Sequence, residues 1–229
     1  NHTATHLLDE ALREILGTHV EQKGSFVCPD YFRFDFSHFS KVTDEELSLA
    51  EKRVNELIRA DYPLCEKRDA TMDEAKQMGA IALFGEKYGD SVRVVKFGPS
   101  IELCGGTHAS STGRIGFFKI TSESAIAAGV RRIEAVSGPA AEAYVNALEG
   151  TLKSARLFFN NVPDLSGAIK KMLDENTEFK KQIEEATKEK ASRIASELAS
   201  KAKEINGMKV ALMTMSVNPA LARSAAAIL

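Results

Sequence analysis

Two pairs of side chains in this chain have the types and spacing of metal ligands. His2-Thr3-Ala4-Thr5-His6 places two imidazoles four residues apart at its start, and Cys104-Gly105-Gly106-Thr107-His108 places a thiol and an imidazole four apart much later. Between them they use three of five histidines and one of three cysteines. If residues 2–6 are helical, His2 and His6 lie one turn apart on one face, so both rings can reach one ion. A soft thiolate with imidazoles suits zinc better than magnesium or calcium. The bland alternatives are a capping or packing histidine and a small buried cysteine. A metalloprotease helix would need a glutamate directly after its first histidine to act as base, and Thr3 occupies that position.

The elements that must position these ligands are readable from periodicity. Leu8, Leu12 and Ile15 continue the first helix and Gly17 stops it. Ser100 to Cys104 alternates like a strand, and Gly105-Gly106 allows a tight turn after it, so Cys104 and His108 flank a turn. Ser25–Cys28 and Tyr31–Phe36 read as strands around Pro29-Asp30, with Phe32, Phe34 and Phe36 on one buried face. Thr43-Asp44-Glu45-Glu46 is a capping box whose helix buries Leu47, Ala50, Val54, Leu57 and Ile58 and stops by Pro63. Thr71 to Glu74 repeats the device for a shorter helix closed by Gly79. Further strands are expected at Val92–Phe97, Ile101–Cys104, Gly116–Ser122 and Arg131–Val136. The class is α+β, a largely antiparallel sheet carrying helices, over residues 1–138.

The texture changes after Gly138. A helix over 139–158, a break at 160–164 and a long helix over 165–205 form an expected connector, residues 139–206. Ile169, Met172, Asn176, Phe179 and Ile183 follow three- and four-residue steps, which fits either packing on a neighbouring helix or self-association as a coiled coil. Residues 207–229 read as a strand (210–215) and a helix beginning at Pro219, the truncated start of a further domain. Both ends of the chain look cut from something longer.

Composition bounds the class. The 229 residues are 44% apolar, enough for a substantial core, and the net charge of −2 announces no global basic field. RNA contact would need a local patch. Three cysteines at irregular spacing fit a reducing, cytoplasmic setting rather than a disulfide framework. Cys28 and Cys65 fall in strand-like segments and read as buried, and His19 and His38 as structural.

Six stretches together carry a resemblance: Asn1–Leu8, Gln22–Ser25, Arg33–His38, Leu83–Tyr88, Cys104–His108 and Ala128–Glu134. As a set they resemble the editing domain of alanyl-tRNA synthetases. The likeness runs nearly continuously over residues 1–138, and the helical arm resembles the segment joining that domain to the synthetase's C-terminal domain. No stretch resembles an aminoacylation core. The resemblance implies hydrolysis of tRNA(Ala) wrongly charged with serine or glycine, with Zn2+ held by His2, His6, Cys104 and His108. A threonyl-type editing module shares the ligand pattern, but the Ala128–Glu134 stretch and the long arm favour the alanyl kind. Partners would be the mischarged tRNA and the rest of the parent synthetase in cis.

Four protein ligands describe a closed zinc site, whereas a catalytic zinc keeps a position open, so the metal either activates water or positions substrate. Glu102 shares a strand face with Cys104 and is the only carboxylate adjoining either motif; a general base stays unassigned. The resemblance marks Gln22 as a pocket residue. Thr5 and Thr107, with Thr3, are hydroxyls near the ligands that could meet a serine side chain, or simply bond back to the backbone. Arg131, Arg132, Lys23 and Lys87 are candidate phosphate contacts. The rival from another class is a structural zinc domain that binds tRNA or self-associates without catalysis.

Overall fold

A computed structural model describes residues 1–81, 89, 91–214, 216 and 219–228. They divide into two compact units, Asn1–Thr151 and Leu152–Leu229.

The first unit opens with α1 (His2–Leu16) and then the hairpin β1 (Gln22–Val27) and β2 (Phe32–Ser37). α2 (Asp44–Arg59), β3 (Cys65–Ala70), α3 (Met72–Gln77), β4 (Val92–Phe97) and β5 (Ser100–Leu103) follow. A short 3-10 turn at Thr112–Ile115 leads to β6 (Phe118–Ala127), β7 (Val130–Ser137) and the greater part of α4 (Pro139–Leu157). The strands form two antiparallel sheets, β1-β2-β7-β6 and β3-β4-β5, rather than one continuous sheet. The α+β class and the antiparallel pairing match the expectation. β3 was foreshadowed only by the strand-like reading at Cys65: Cys-Glu-Lys-Arg-Asp-Ala has one buried residue in six, so no apolar alternation sets its bounds. Cys65 within it is exposed rather than buried, and Cys28 is half-buried.

The alternating phenylalanines do what their period dictates. Phe32, Phe34 and Phe36 are fully buried, while Arg33, Asp35 and Ser37 point to the other face. Against them pack Ala4, Leu7, Leu8, Ala11 and Leu12 of α1 and Ala50, Val54 and Leu57 of α2, forming one core. Asn55 fastens α2 to β6: its amide nitrogen donates to the Phe118 carbonyl at 2.9 Å and its side-chain oxygen accepts from the Phe118 N–H at 3.0 Å. Both capping boxes form. The Thr43 hydroxyl accepts from the Glu46 N–H at 3.2 Å and the Thr43 N–H donates to the Glu46 carboxylate at 2.8 Å, with Thr71 and Glu74 repeating those distances.

The second unit holds α5 (Leu165–Ser200), the hairpin β8 (Lys203–Ile205) and β9 (Met208–Val210), and α6 (Pro219–Ala226). α5 stops at Ser200, short of the expected end at Ile205. Asn206 and Gly207 adopt φ of 51° and 81°, the left-handed pair of a two-residue hairpin turn, so residues 203–205 pair with 208–210 instead of continuing the helix. The expected strand over 210–215 is therefore displaced to Met208–Val210, and Met215 lies outside the described residues. Ala191, Ile194, Leu221 and Ala225 pack α5 on α6. Met172, Phe179 and Ile183 of the apolar stripe are exposed.

Thr43→Ala removes an N-cap and should cost about 1 kcal/mol in urea unfolding. Thr43's backbone N–H and then its hydroxyl hold the Glu46 carboxyl below its ordinary value of 4.5. A depressed carboxyl contributes stability above its unfolded value and loses it as pH falls. The difference between Thr43→Ala and the parent should therefore shrink as pH drops below that value.

Candidate metal centre

α1 is turned by its apolar stripe so that its first turn faces the segment following β5. The chain before His2 is anchored there. The Asn1 side chain donates to the Cys28 and Pro29 carbonyls at 2.6 and 2.9 Å and accepts from the Ser137 hydroxyl at 2.7 Å. Helix start, β1–β2 turn and β7 end are thus fixed to one another.

His2, His6, Cys104 and His108 meet at this point, with one ligand atom from each within 4.8 Å of all the others. The three ring contacts have centroids 4.4 to 5.1 Å apart. Each imidazole has a polar atom close to its Nδ1, for His6 an ion-pair contact rather than an aligned hydrogen bond. His2 Nδ1 lies 3.1 Å from the Thr107 carbonyl, His6 Nδ1 2.8 Å from the Glu102 carboxylate, and His108 Nδ1 3.3 Å from the Thr3 hydroxyl. This pattern leaves the Nε2 atoms facing Cys104 Sγ, which is 3.5 Å from His2 Nε2. His108 Nε2 is buried with no hydrogen-bond partner. An orphaned buried nitrogen beside a thiol and two further imidazoles is what a bound cation would satisfy, and this soft donor set fits zinc.

The electrostatics agree. Burial pushes the Cys104 thiol up, but hydrogen bonding to His108, His2 and His6 and the Gly106 N–H outweighs it, leaving the group at about 3, a thiolate. Burial pulls His6 down, yet Glu102 and Cys104 together carry it up to about 10, so a cation taken up at its Nε2 would displace a proton. Burial lowers His108. Asp9, on the next turn of α1, is pushed up to about 7 by burial and then by the Glu102 charge.

Two features of the turn escape sequence reading. Arg93 of β4 donates from one guanidinium nitrogen to the Cys104 carbonyl at 3.1 Å and to the Gly106 carbonyl, and it binds Glu66 through Nε at 2.8 Å. Only the register, with Val94 opposite Leu103, brings Arg93 beside Cys104. Glycine at 106 is a steric requirement, because a Cβ there would lie 2.6 Å from His2 Nδ1.

The other expected site residues are distributed unevenly. Thr107 is exposed and lines both cavities that reach the ligands, one of about 400 Å³ beside His2 and one of about 470 Å³ beside His108. Thr5 is buried, its hydroxyl bonded back to the Asn1 carbonyl at 3.2 Å. Gln22 lines neither cavity. It is the first residue of β1, roughly 20 Å along the strand from the Cys28 turn that Asn1 holds. Arg131 is bonded to Glu123, Arg132 to Asp35 by two contacts at 2.7 and 2.8 Å, and Lys23 to Glu21. Lys87 lies outside the described residues. His19 and His38 form a pair of their own at 2.9 Å, away from the ligand cluster.

Residues 92–134 match a family described as the threonyl and alanyl tRNA synthetase second additional domain. Alanine–tRNA ligase of Bacteroides fragilis is 60% identical over 210 residues, which is 92% of this chain. Those of Parabacteroides distasonis and Flavobacterium psychrophilum are 59% and 51% identical over 210 and 208 residues. The chain belongs to the alanine–tRNA ligase family. It spans 24% of the length of the Bacteroides fragilis ligase, so it corresponds to a segment of such a ligase. No helix among the described residues is long and apolar enough to cross a membrane.

If Arg93 and Gly106 hold the ligand turn, Arg93→Ala and Gly106→Ala should each weaken zinc binding about 10- to 100-fold in a chelator competition, the range for residues that orient ligands. Arg93→Lys, which cannot fork between two carbonyls and a carboxylate, should fall between Ala and the parent.

Proposed function

We propose that this segment of the ligase family hydrolyses the aminoacyl ester of tRNA(Ala) charged with serine or glycine, at a zinc centre held by His2, His6, Cys104 and His108. The observation that carries this reading is the convergence of three imidazoles, each with its Nδ1 tied back, on a thiolate beside an open cavity. An alanine pocket cannot exclude a similar-sized amino acid with one hydroxyl, or the smaller glycine, by more than about 1–3 kcal/mol. A second, hydrolytic site answers that need.

Bound zinc supplies Lewis acidity, polarising an ester carbonyl or a nearby water. The chain's own residues prepare the rest. The Thr107 carbonyl and Glu102 keep the Nε2 lone pairs of His2 and His6 directed inward, and Thr3 does the same for His108 while accepting from the Ala109 N–H at 3.0 Å. Glu102 is buried and committed to His6, so its role is orientation of that ring rather than proton abstraction from water. The Thr107 hydroxyl, exposed between the two cavities, is the side chain best placed to meet a serine hydroxyl. Thr5 supports the helix turn that carries both histidines. The assignment of Gln22 rests on the family likeness alone. Phosphate contacts by Lys23, Arg131 and Arg132 would require each to exchange a carboxylate partner. In this reading residues 1–138 edit, 139–206 connect and 207–229 open a further domain, while the remainder of the ligase charges the tRNA.

A second reading, a zinc-stabilised domain that associates through its helical arm, is favoured by the exposed Met172, Phe179 and Ile183 on α5. One experiment separates the two. Zinc-loaded protein should discharge Ser-tRNA(Ala) and Gly-tRNA(Ala) faster than Ala-tRNA(Ala), and His6→Ala or Cys104→Ala should lose on the order of 100-fold or more, with zinc content measured in parallel. Stoichiometric zinc, no discharge above buffer, and sedimentation that rises with concentration would establish the second reading instead.

A further inference from the structure

The arginines of the first unit are held in different ways. Arg53, Arg68, Arg93, Arg131 and Arg132 each bind a carboxylate directly, Arg13 donates to the Val20 carbonyl and Arg33 lies over the Phe26 ring. Among the described residues Arg59 and Arg114 form no ion pair, and both are exposed. They share one groove of about 690 Å³, together with Asp61, Ser111 and Phe117. Phe117 is 43% exposed although it neighbours the fully buried Phe118. Asp61 is the carboxylate in this groove; it is bonded to its own neighbourhood, and the Arg114 charge also acts on it. The Ser111 hydroxyl and then the Gly113 N–H, at 3.0 Å, bind it and hold its carboxyl below the usual range.

Arg114 also lines the cavity of about 400 Å³ that contains His2, Thr3 and Thr107. One side chain thus borders both spaces. The combination is two exposed guanidiniums that form no ion pair and an exposed aromatic. Guanidiniums grip phosphates by paired hydrogen bonds, and an aromatic face accepts any base by stacking.

We propose that the Arg59–Arg114–Phe117 groove binds the single-stranded 3′ end of the substrate RNA, with Arg114 and Arg59 on successive phosphates and Phe117 against a base. The inference rests on the editing reading above, because it assigns the terminal ester to the cavity beside His2. It also supplies phosphate ligands that need not break an existing ion pair, unlike Lys23, Arg131 and Arg132.

The test is binding of a short RNA hairpin with a single-stranded 3′ overhang, measured against the same hairpin with a blunt end across a salt series. Each single-strand phosphate contact contributes about 0.7 to the slope of log affinity against log salt. Arg59→Ala and Arg114→Ala should each lower the slope by about 0.7, and the double variant by about 1.4. Phe117→Ala should weaken binding about tenfold with the slope unchanged. Lys52→Ala, which removes an exposed cation elsewhere on α2, should alter neither. Wild-type slope and affinity in the folded double variant would overturn the proposal, as would equal binding of the blunt hairpin. Failure of the editing reading shows separately, as wild-type protein that binds the overhang but does not discharge Ser-tRNA(Ala).

Discussion

The first turn of α1 carries two demands at once, and the rest of the site follows from how they are met. Ala4, Leu7, Leu8, Ala11 and Leu12 are fully buried, so the helix cannot rotate without exposing its apolar stripe. With rotation fixed, His2 and His6 must face the turn after β5. That turn in turn cannot drift, because β5 is paired to β4 and Arg93 binds its carbonyls. A cluster of four ligands from two distant segments is thereby assembled by ordinary core packing.

The arrangement also manages a difficult electrostatic problem. Three imidazoles and a thiol packed together lose hydration, and each unpaired polar atom there costs free energy. The structure answers with one outer partner per ring and a thiolate at the centre. The outer partners differ in kind: a backbone carbonyl for His2, a buried carboxylate for His6, a hydroxyl for His108. Glu102 has the widest consequences, since its charge acts on His6 and also raises Asp9 on the next turn of the helix. The inward-facing Nε2 atoms, with that of His108 buried and unpartnered, are left to a cation.

Much of this was legible in the sequence, and the exceptions share a cause. The four clustered side chains, the phenylalanine strand and both capping boxes depend on short-range period and spacing, which the chain displays openly. Arg93 and Asn1 were invisible because their partners lie in other segments and are fixed only by strand register and helix docking. β3 was legible only at Cys65 and without bounds, because an exposed edge strand of mostly charged residues has no apolar alternation. The end of α5 was overrun because helical apolar steps continue to Ile205, while Asn206-Gly207 favours a hairpin turn strongly enough to pull three residues before it into a strand. Gln22 is the first residue of β1 and lines neither ligand-side cavity, so its assignment to the pocket rests on the family likeness.

The central claim is that these four side chains share one zinc ion. X-ray absorption at the zinc edge of the zinc-loaded protein tests it most directly. The account predicts one zinc per chain with a single sulfur at about 2.3 Å and nitrogen scatterers with imidazole outer shells at about 2.0–2.1 Å. A shell of oxygen alone, with no sulfur and no imidazole signature, would contradict it.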